Sequence, residues 1–170
     1  EMKLNLLRRT KKRVPKRIAN PLMAPVAHNR IWAADFMHDV LYGGRKIRTF
    51  NVLDESNREA LGIEVGTSIP STRVIRVLER LIDMYGKPEA LRIDNGPEFT
   101  ASVFEDWCRE RGIERLFIQP GKPDQNAFIE RFNRTYRDEV LDLYIFESIE
   151  QVQLLTDEWL ISYNHERPHE

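Results

Sequence analysis

Three acids stand where the surrounding sequence gives an acid an unusual setting. Asp35 lies inside the apolar run Ile31 to Phe36, Asp94 follows the short apolar segment Leu91 to Ile93, and Glu130 comes shortly after a loop rich in Gly and Pro. If they meet in the fold, their mutual repulsion raises their pKa values unless cations lie between them. Oxygen ligands suit Mg²⁺ or Mn²⁺, and two such ions support phosphodiester exchange. The pattern predicts metal-dependent phosphoryl transfer.

Each of these acids also has a purely structural alternative, because 27 of the 170 residues are acidic and spacing alone selects none of them. Asp94 could bond the amides of the turn that follows it. Asp35 could pair with a lysine or arginine, and Glu130 could form a surface ion pair with Arg134. Asp39, four residues after Asp35, is interpreted as a solvated or ion-paired acid rather than a further ligand.

The segment around Glu130 favours the chemical interpretation. Asn126, Arg134 and Arg137 lie four residues before, four after and seven after Glu130, so a helix places all of them on one polar stripe. An apolar stripe at the same period faces the core, formed by Ile129, Phe132, Tyr136 and Val140. A carboxylate among arginines and an amide suits a metal beside a phosphate backbone.

The elements that must position these residues follow from hydrophobic periodicity. Strands are predicted at Ile31 to Leu41, Ile47 to Leu53, Ala60 to Val65, Leu91 to Ile93 and Ile113 to Ile118. Helices are predicted from near Ser68 or Ser71 to Gly86, from a capping box at Ser102 and Glu105 to Gly112, from Gln125 to Leu141, and from Ile149 to Tyr163.

The resulting order is β-β-β-α-β-α-β-α-α. A meander followed by alternating helices and strands predicts an α/β fold with a five-stranded mixed sheet and helices on its faces. This order matches the ribonuclease H-like arrangement. The two domain segments predicted are a basic arm or linker over residues 1–28 and a catalytic core over residues 29–170.

Charge is distributed unevenly along the chain. The first twenty residues carry eight basic residues against one acid, a charge of +7, so the remaining 150 carry −8 within a net charge of −1. A basic arm predicts contact with a phosphate backbone, here through Lys11, Lys12 and Arg13, although a solvated linker has the same composition. The single cysteine, Cys108, excludes a disulfide framework and is interpreted as a core residue. No apolar run is long enough for a membrane span.

Four segments resemble the integrase core of bacterial insertion-sequence transposases, more narrowly the second-frame (OrfB) product of the insertion-sequence-three family, which is related to retroviral integrases. They are Trp32-Ala33-Ala34-Asp35-Phe36, Asp94 to Phe99, Pro120 to Pro123 and Asn126 to Asn133. Thirty-five residues separate Asp94 from Glu130, as in the Asp-Asp-(35)-Glu signature of that superfamily. Tyr163 to His169 resembles the family's closing segment.

The resemblance implies that Asp35, Asp94 and Glu130 hold the metals, Mg²⁺ or Mn²⁺ and two ions in number, during strand cleavage and transfer at transposon ends. It places Asn95 near DNA, and Lys122 on a mobile active-site loop over Gln119 to Gln125. It further implies a helix-turn-helix region before the basic arm and a homo-oligomer assembled on transposon ends and target DNA. The lack of a membrane-length apolar run and the single cysteine predict no membrane association and a cytoplasmic location, in a bacterium and at the nucleoid when the protein is active. Two alternatives stay open: a structure-specific nuclease of the same fold, and a non-catalytic DNA-binding remnant.

Overall fold

The computed structural model describes residues 27–166, without the side chain of Pro123. The predicted arm, with Lys11, Lys12 and Arg13, lies outside the described residues except for its last two positions. Five strands form one sheet: β1 (Ile31–Val40), β2 (Lys46–Asp54), β3 (Ala60–Gly66), β4 (Ala90–Ile93) and β5 (Glu114–Phe117). The helices are α1 (Ser71–Tyr85), α2 (Pro97–Thr100), α3 (Ser102–Arg111), α4 (Ala127–Tyr136) and α5 (Ile149–Glu166).

The sheet has the order β3-β2-β1-β4-β5. The first three strands form an antiparallel meander, whereas β1, β4 and β5 are parallel. Gly44, with φ of 81°, provides the backbone conformation for the β1–β2 turn. The predicted α/β class and the five-stranded mixed sheet are confirmed.

Alternation of side chains along β1 gives the sheet two separate cores. Trp32 and Ala34 pack towards α1 and α3, while Ala33 and Met37 pack towards α4 and α5. Asp35 therefore lies on the face covered by α4. Cys108 is buried in the first core, as predicted, and burial raises the pKa of its thiol to about 11.

The structure corrects two predicted helices. Ser102 and Glu105 do not form a capping box, because Ala101 is the N-cap residue and Glu105 forms an ion pair with Arg115. The helix predicted from Gln125 to Leu141 is three segments: a 3₁₀ turn at Pro123–Asn126, α4, and a π-helical turn at Arg137–Leu141.

Val140 and Leu141, which are adjacent in sequence and lie in the π turn, are both buried. A further short helix, α2, follows Asp94 where the sequence predicted only a turn.

Among residues 27–166, no helix combines the length and apolar character that a bilayer span requires.

Candidate active site

Asp35 and Asp94 occupy neighbouring strands. The parallel register pairs Ala33 of β1 with Arg92 of β4, and the same register continued by two residues brings Asp94 beside Asp35. Asp94 comes directly after the last residue of β4, at the carboxyl end of a parallel strand, where ligand sites of such sheets form. Its Oδ1 accepts a hydrogen bond from the Gly96 backbone N–H at 2.9 Å. The structural alternative for Asp94 is thus also realised, since the turn orients its carboxylate.

Gly96 leaves room in this turn for two carboxylates. A Cβ atom at this position would lie 2.8 Å from Asp94 Oδ1 and 3.3 Å from Glu98 Oε2. A side chain at this position would therefore require the Asp94 carboxylate to shift. Glu98 itself forms an ion pair with Arg48 of β2, whose guanidinium lies over the Phe36 ring. This contact anchors α2, and with it the turn after Asp94, to the central strands.

Electrostatics connects all three acids. The pKa of Asp35 is raised to about 6, first by burial and further by the negative charges of Asp94 and Glu130, while hydrogen bonds from the Phe36 backbone N–H and from Asn133 oppose the rise. The α4 helix thus brings Glu130 within electrostatic range of Asp35. Among the ion pairs of residues 27–166, none includes Asp35, Asp94 or Glu130. Asp35 therefore does not pair with a lysine or arginine in this part of the chain.

The carboxylate oxygens of these three acids suit a hard divalent cation, because none of the acids has a basic partner within residues 27–166. In the described part of the chain, no three acidic, histidine or cysteine side chains are grouped as a ready set of metal ligands. The metal-binding role of the three acids stays a prediction at this point.

Two asparagines that sequence reasoning did not select complete the polar interior of the site. Asn133 Nδ2 donates a hydrogen bond to Asp35 Oδ2 at 2.8 Å, and its Oδ1 accepts one from Asn51 Nδ2 at 2.7 Å. Asn51 lies directly opposite Asp35 in the β1–β2 register and is fully buried. An asparagine inside the apolar run Phe50 to Leu53 was the available signal in the sequence.

The residues predicted to contact DNA fall into two groups. Lys122, Asn95 and Arg134 are exposed, and neither the Lys122 nor the Arg134 side chain has a hydrogen bond or ion pair within residues 27–166. Asn126 and Arg137 differ from these, because Asn126 is buried, while Arg137 donates to the His38 carbonyl at 2.8 Å and pairs with Asp39 and Asp142. Asp39 is ion-paired, in line with its interpretation from the sequence.

A five-stranded mixed sheet with Asp35 on its central strand, Asp94 directly after the neighbouring parallel strand and Glu130 on the covering helix α4 has the arrangement of a ribonuclease H-like core. Comparison with known proteins identifies the branch. Sequence profiles described as integrase core domain match residues 25–123 and residues 111–170. The chain belongs to the integrase core domain family.

Named relatives agree with this assignment. The chain is 39% identical over 169 residues to an uncharacterized 39.2 kDa protein of insertion element IS476 from Xanthomonas euvesicatoria, covering 99% of this chain and 48% of that protein. It is 27% identical over 161 residues to a putative transposase for insertion sequence element IS986/IS6110 from Mycobacterium tuberculosis, covering 90% and 58%. The chain therefore spans about half the length of these relatives.

The fold recurs in a solved structure. The HTLV-2 integrase catalytic core domain in complex with magnesium, in its dimeric form, superposes with a TM-score of 0.66 at 19% identity, covering 82% of this chain and 89% of that one. At this identity the similarity supports the ribonuclease H-like fold alone.

Proposed function

We propose that this chain is the catalytic core of an insertion-sequence transposase, which cleaves DNA at the ends of the element and joins the ends to a target. The observation that carries the proposal is the electrostatic effect of Asp94 and Glu130 on the largely buried Asp35, none of which has a basic partner within residues 27–166, in a chain of the integrase core domain family. The putative transposase of the M. tuberculosis element supports the same activity.

The three carboxylates are proposed to bind divalent cations, Mg²⁺ or Mn²⁺ and two in number. When bound, such ions activate the attacking hydroxyl or water and stabilise the leaving oxygen of a phosphodiester. The chain's own residues prepare the site. The Gly96 amide orients Asp94, and Asn133 orients Asp35. Burial of Asp35 strengthens its interaction with any cation that replaces its proton.

Charge outside the carboxylate cluster is proposed to hold the substrate. Lys122, Asn95 and Arg134 are exposed and suited to phosphate contacts, and the basic residues Lys11, Lys12 and Arg13 would add to the electrostatic attraction. Asn126 and Arg137, also predicted to contact DNA, are instead proposed to shape α4 around the site. Transposition joins two ends, so we propose a homo-oligomer on DNA, acting in the bacterial cytoplasm.

The experiment uses the 170-residue chain with a branched DNA that mimics a strand-transfer product, in Mn²⁺ and in Mg²⁺. Metal-dependent resolution of the branch is expected for the parent chain, with a loss of about a hundredfold or more in Asp94→Asn and Glu130→Gln, as when an electrostatic group acting on the transition state is removed. Asp106→Asn is the matched control, because Asp106 is an exposed acid of α3 paired with Arg109.

The possible outcomes separate the candidate functions. Cleavage without joining of a 3′ end to a second duplex would indicate a structure-specific nuclease. Equal activity in all three variants would reject the carboxylate site. No turnover together with no Mn²⁺ binding in the parent chain would indicate a non-catalytic DNA-binding module.

A further inference from the structure

Asn51 occupies a position where a polar side chain is costly. It is 0% exposed, on the central antiparallel strand β2, with apolar neighbours Phe50 and Val52 on either side. An amide buried without hydrogen bonds destabilises a protein by about 1–3 kcal/mol. Its Nδ2 group is satisfied by Asn133 Oδ1 at 2.7 Å and by Met37 Sδ at 3.2 Å, whereas its Oδ1 has no partner within the described residues.

The direction of the hydrogen bonds through the two amides follows from Asp35. An ionised carboxylate only accepts, so Asn133 must present its NH₂ group to Asp35 Oδ2. The Asn133 carbonyl oxygen then faces Asn51, which must donate in turn. Asn51 therefore fixes which end of the Asn133 amide faces the acid, and a carbonyl at that place would repel it.

The same contacts connect the site's elements. Asn133 lies one helical turn after Glu130 on α4, and Asp35 and Asn51 are register partners on β1 and β2. The hydrogen bonds from Asn51 to Asn133 and from Asn133 to Asp35 therefore set the position of α4, which carries Glu130, relative to β1, which carries Asp35.

We propose that Asn51 is a positioning residue of the metal site. It acts through Asn133, holding the Asp35 carboxylate in its binding orientation and α4 at its height above the sheet. This role rests on the proposed function, since it presumes that Asp35 binds a cation. Replacing a residue that orients a metal ligand by a hydrogen bond weakens metal affinity by about 10–100-fold. Asn51 acts on Asp35 through Asn133, so we expect its replacement to weaken affinity by about tenfold, the lower end of this range.

Thr49 provides a matched control. It lies two residues before Asn51 on the same strand and the same sheet face, is 1% exposed, and its Oγ1 has no partner among the described residues. Thr49→Val removes a buried polar group from the same environment without touching the Asn51–Asn133–Asp35 chain. A general effect of altering this core would appear in both variants.

The experiment measures Mn²⁺ binding by titration calorimetry to the parent chain, Asn51→Leu, Thr49→Val, Asn133→Leu and the double variant Asn51→Leu/Asn133→Leu, each checked for folding by circular dichroism. We expect affinity about tenfold weaker in Asn51→Leu, unchanged in Thr49→Val, and no weaker in the double variant than in Asn133→Leu, because one residue acts through the other. Parent-like affinity in folded Asn51→Leu, or additive losses in the double variant, would overturn the proposal.

A measurement on the unmodified chain covers the case in which Asn51→Leu does not fold. In a Mg²⁺ titration followed by NMR, the side-chain amide resonances of Asn133 and Asn51 should shift with one common midpoint. If backbone resonances near Asp94 shift while both side-chain amides stay unchanged, the positioning role is rejected and the metal site stands. If nothing shifts and calorimetry shows no Mn²⁺ binding by the parent chain, the proposed function fails first.

Discussion

Two groups of acids near the central strands differ in how their negative charge is compensated. Asp54 and Glu55, at the end of β2, are buried and fully supplied with donors. Arg92 Nε donates to Glu55 Oε1 at 2.6 Å, and the backbone N–H groups of Asn29 and Ser56 donate to Asp54 at 2.8 and 2.9 Å. These acids hold the β2–β3 turn against β1 and β4.

The carboxylate cluster consists of Asp35 on β1, Asp94 directly after β4 and Glu130 on α4, and none of the three has a basic partner within residues 27–166. Its neighbours donate only neutral hydrogen bonds, and the like charges act on one another. The fold can evidently place an arginine beside an acid, since Arg92 is two residues from Asp94. The difference supports the proposal that bound divalent cations compensate the negative charge of these three acids.

The largest expected effect comes from removing the ion pair of Glu55 with Arg92. Glu55→Gln leaves the Arg92 guanidinium, whose side chain is only 19% exposed, without its counter-charge. Removing one partner of a buried ion pair destabilises a protein by about 3–5 kcal/mol, and urea unfolding measures the loss. Glu89→Gln is the control, because the Arg30–Glu89 pair is exposed and such pairs contribute about 0–1 kcal/mol. Equal losses in both variants would contradict the distinction between the two groups of acids.

The next effect concerns the uncompensated cluster in metal-free protein. The folded chain raises the pKa of Asp35 to about 6, above its ordinary value of 3.8, so the folded state binds this proton more tightly than the unfolded state. Stability is therefore contributed at low pH and lost as the pH rises from about 4 through 6. Two pKa units correspond to at most about 3 kcal/mol.

The measurement is urea unfolding of the parent chain and Asp35→Asn in EDTA at pH 4.5 and 7.5. Relative to the variant, the parent should lose about 2 kcal/mol between the two pH values, whereas the constant effect of the altered hydrogen bonds cancels in the difference. The same comparison with Asp106→Asn, an exposed acid of α3, should show no such change. A difference for Asp35→Asn that is independent of pH would show that the folded state does not raise the pKa of Asp35.

The two groups also show what could be read from the sequence. Asp35 and Asp94 could be placed because strand ends and the alternation of faces are local properties. The role of Asn51 could not, since it depends on an amide 82 residues further along the chain. The π turn at Arg137–Leu141 was missed as well, because a helical period in the sequence does not distinguish an α turn from a π turn.

The smallest expected effect concerns exposed basic side chains without an acidic partner, and it tests whether they contact DNA. Lys122 and Arg134 are exposed and unpaired within residues 27–166, whereas Lys87 donates to the carbonyl of Arg111 at 3.0 Å. Each phosphate contact removed should lower the slope of log affinity against log salt by about 0.9 on duplex DNA. Lys122→Ala and Arg134→Ala should each show this change, with several-fold weaker binding at low salt in a fluorescence anisotropy titration. Lys87→Ala should leave the slope unaltered. An equal change in all three variants would mean that DNA affinity depends only on the net charge of the chain.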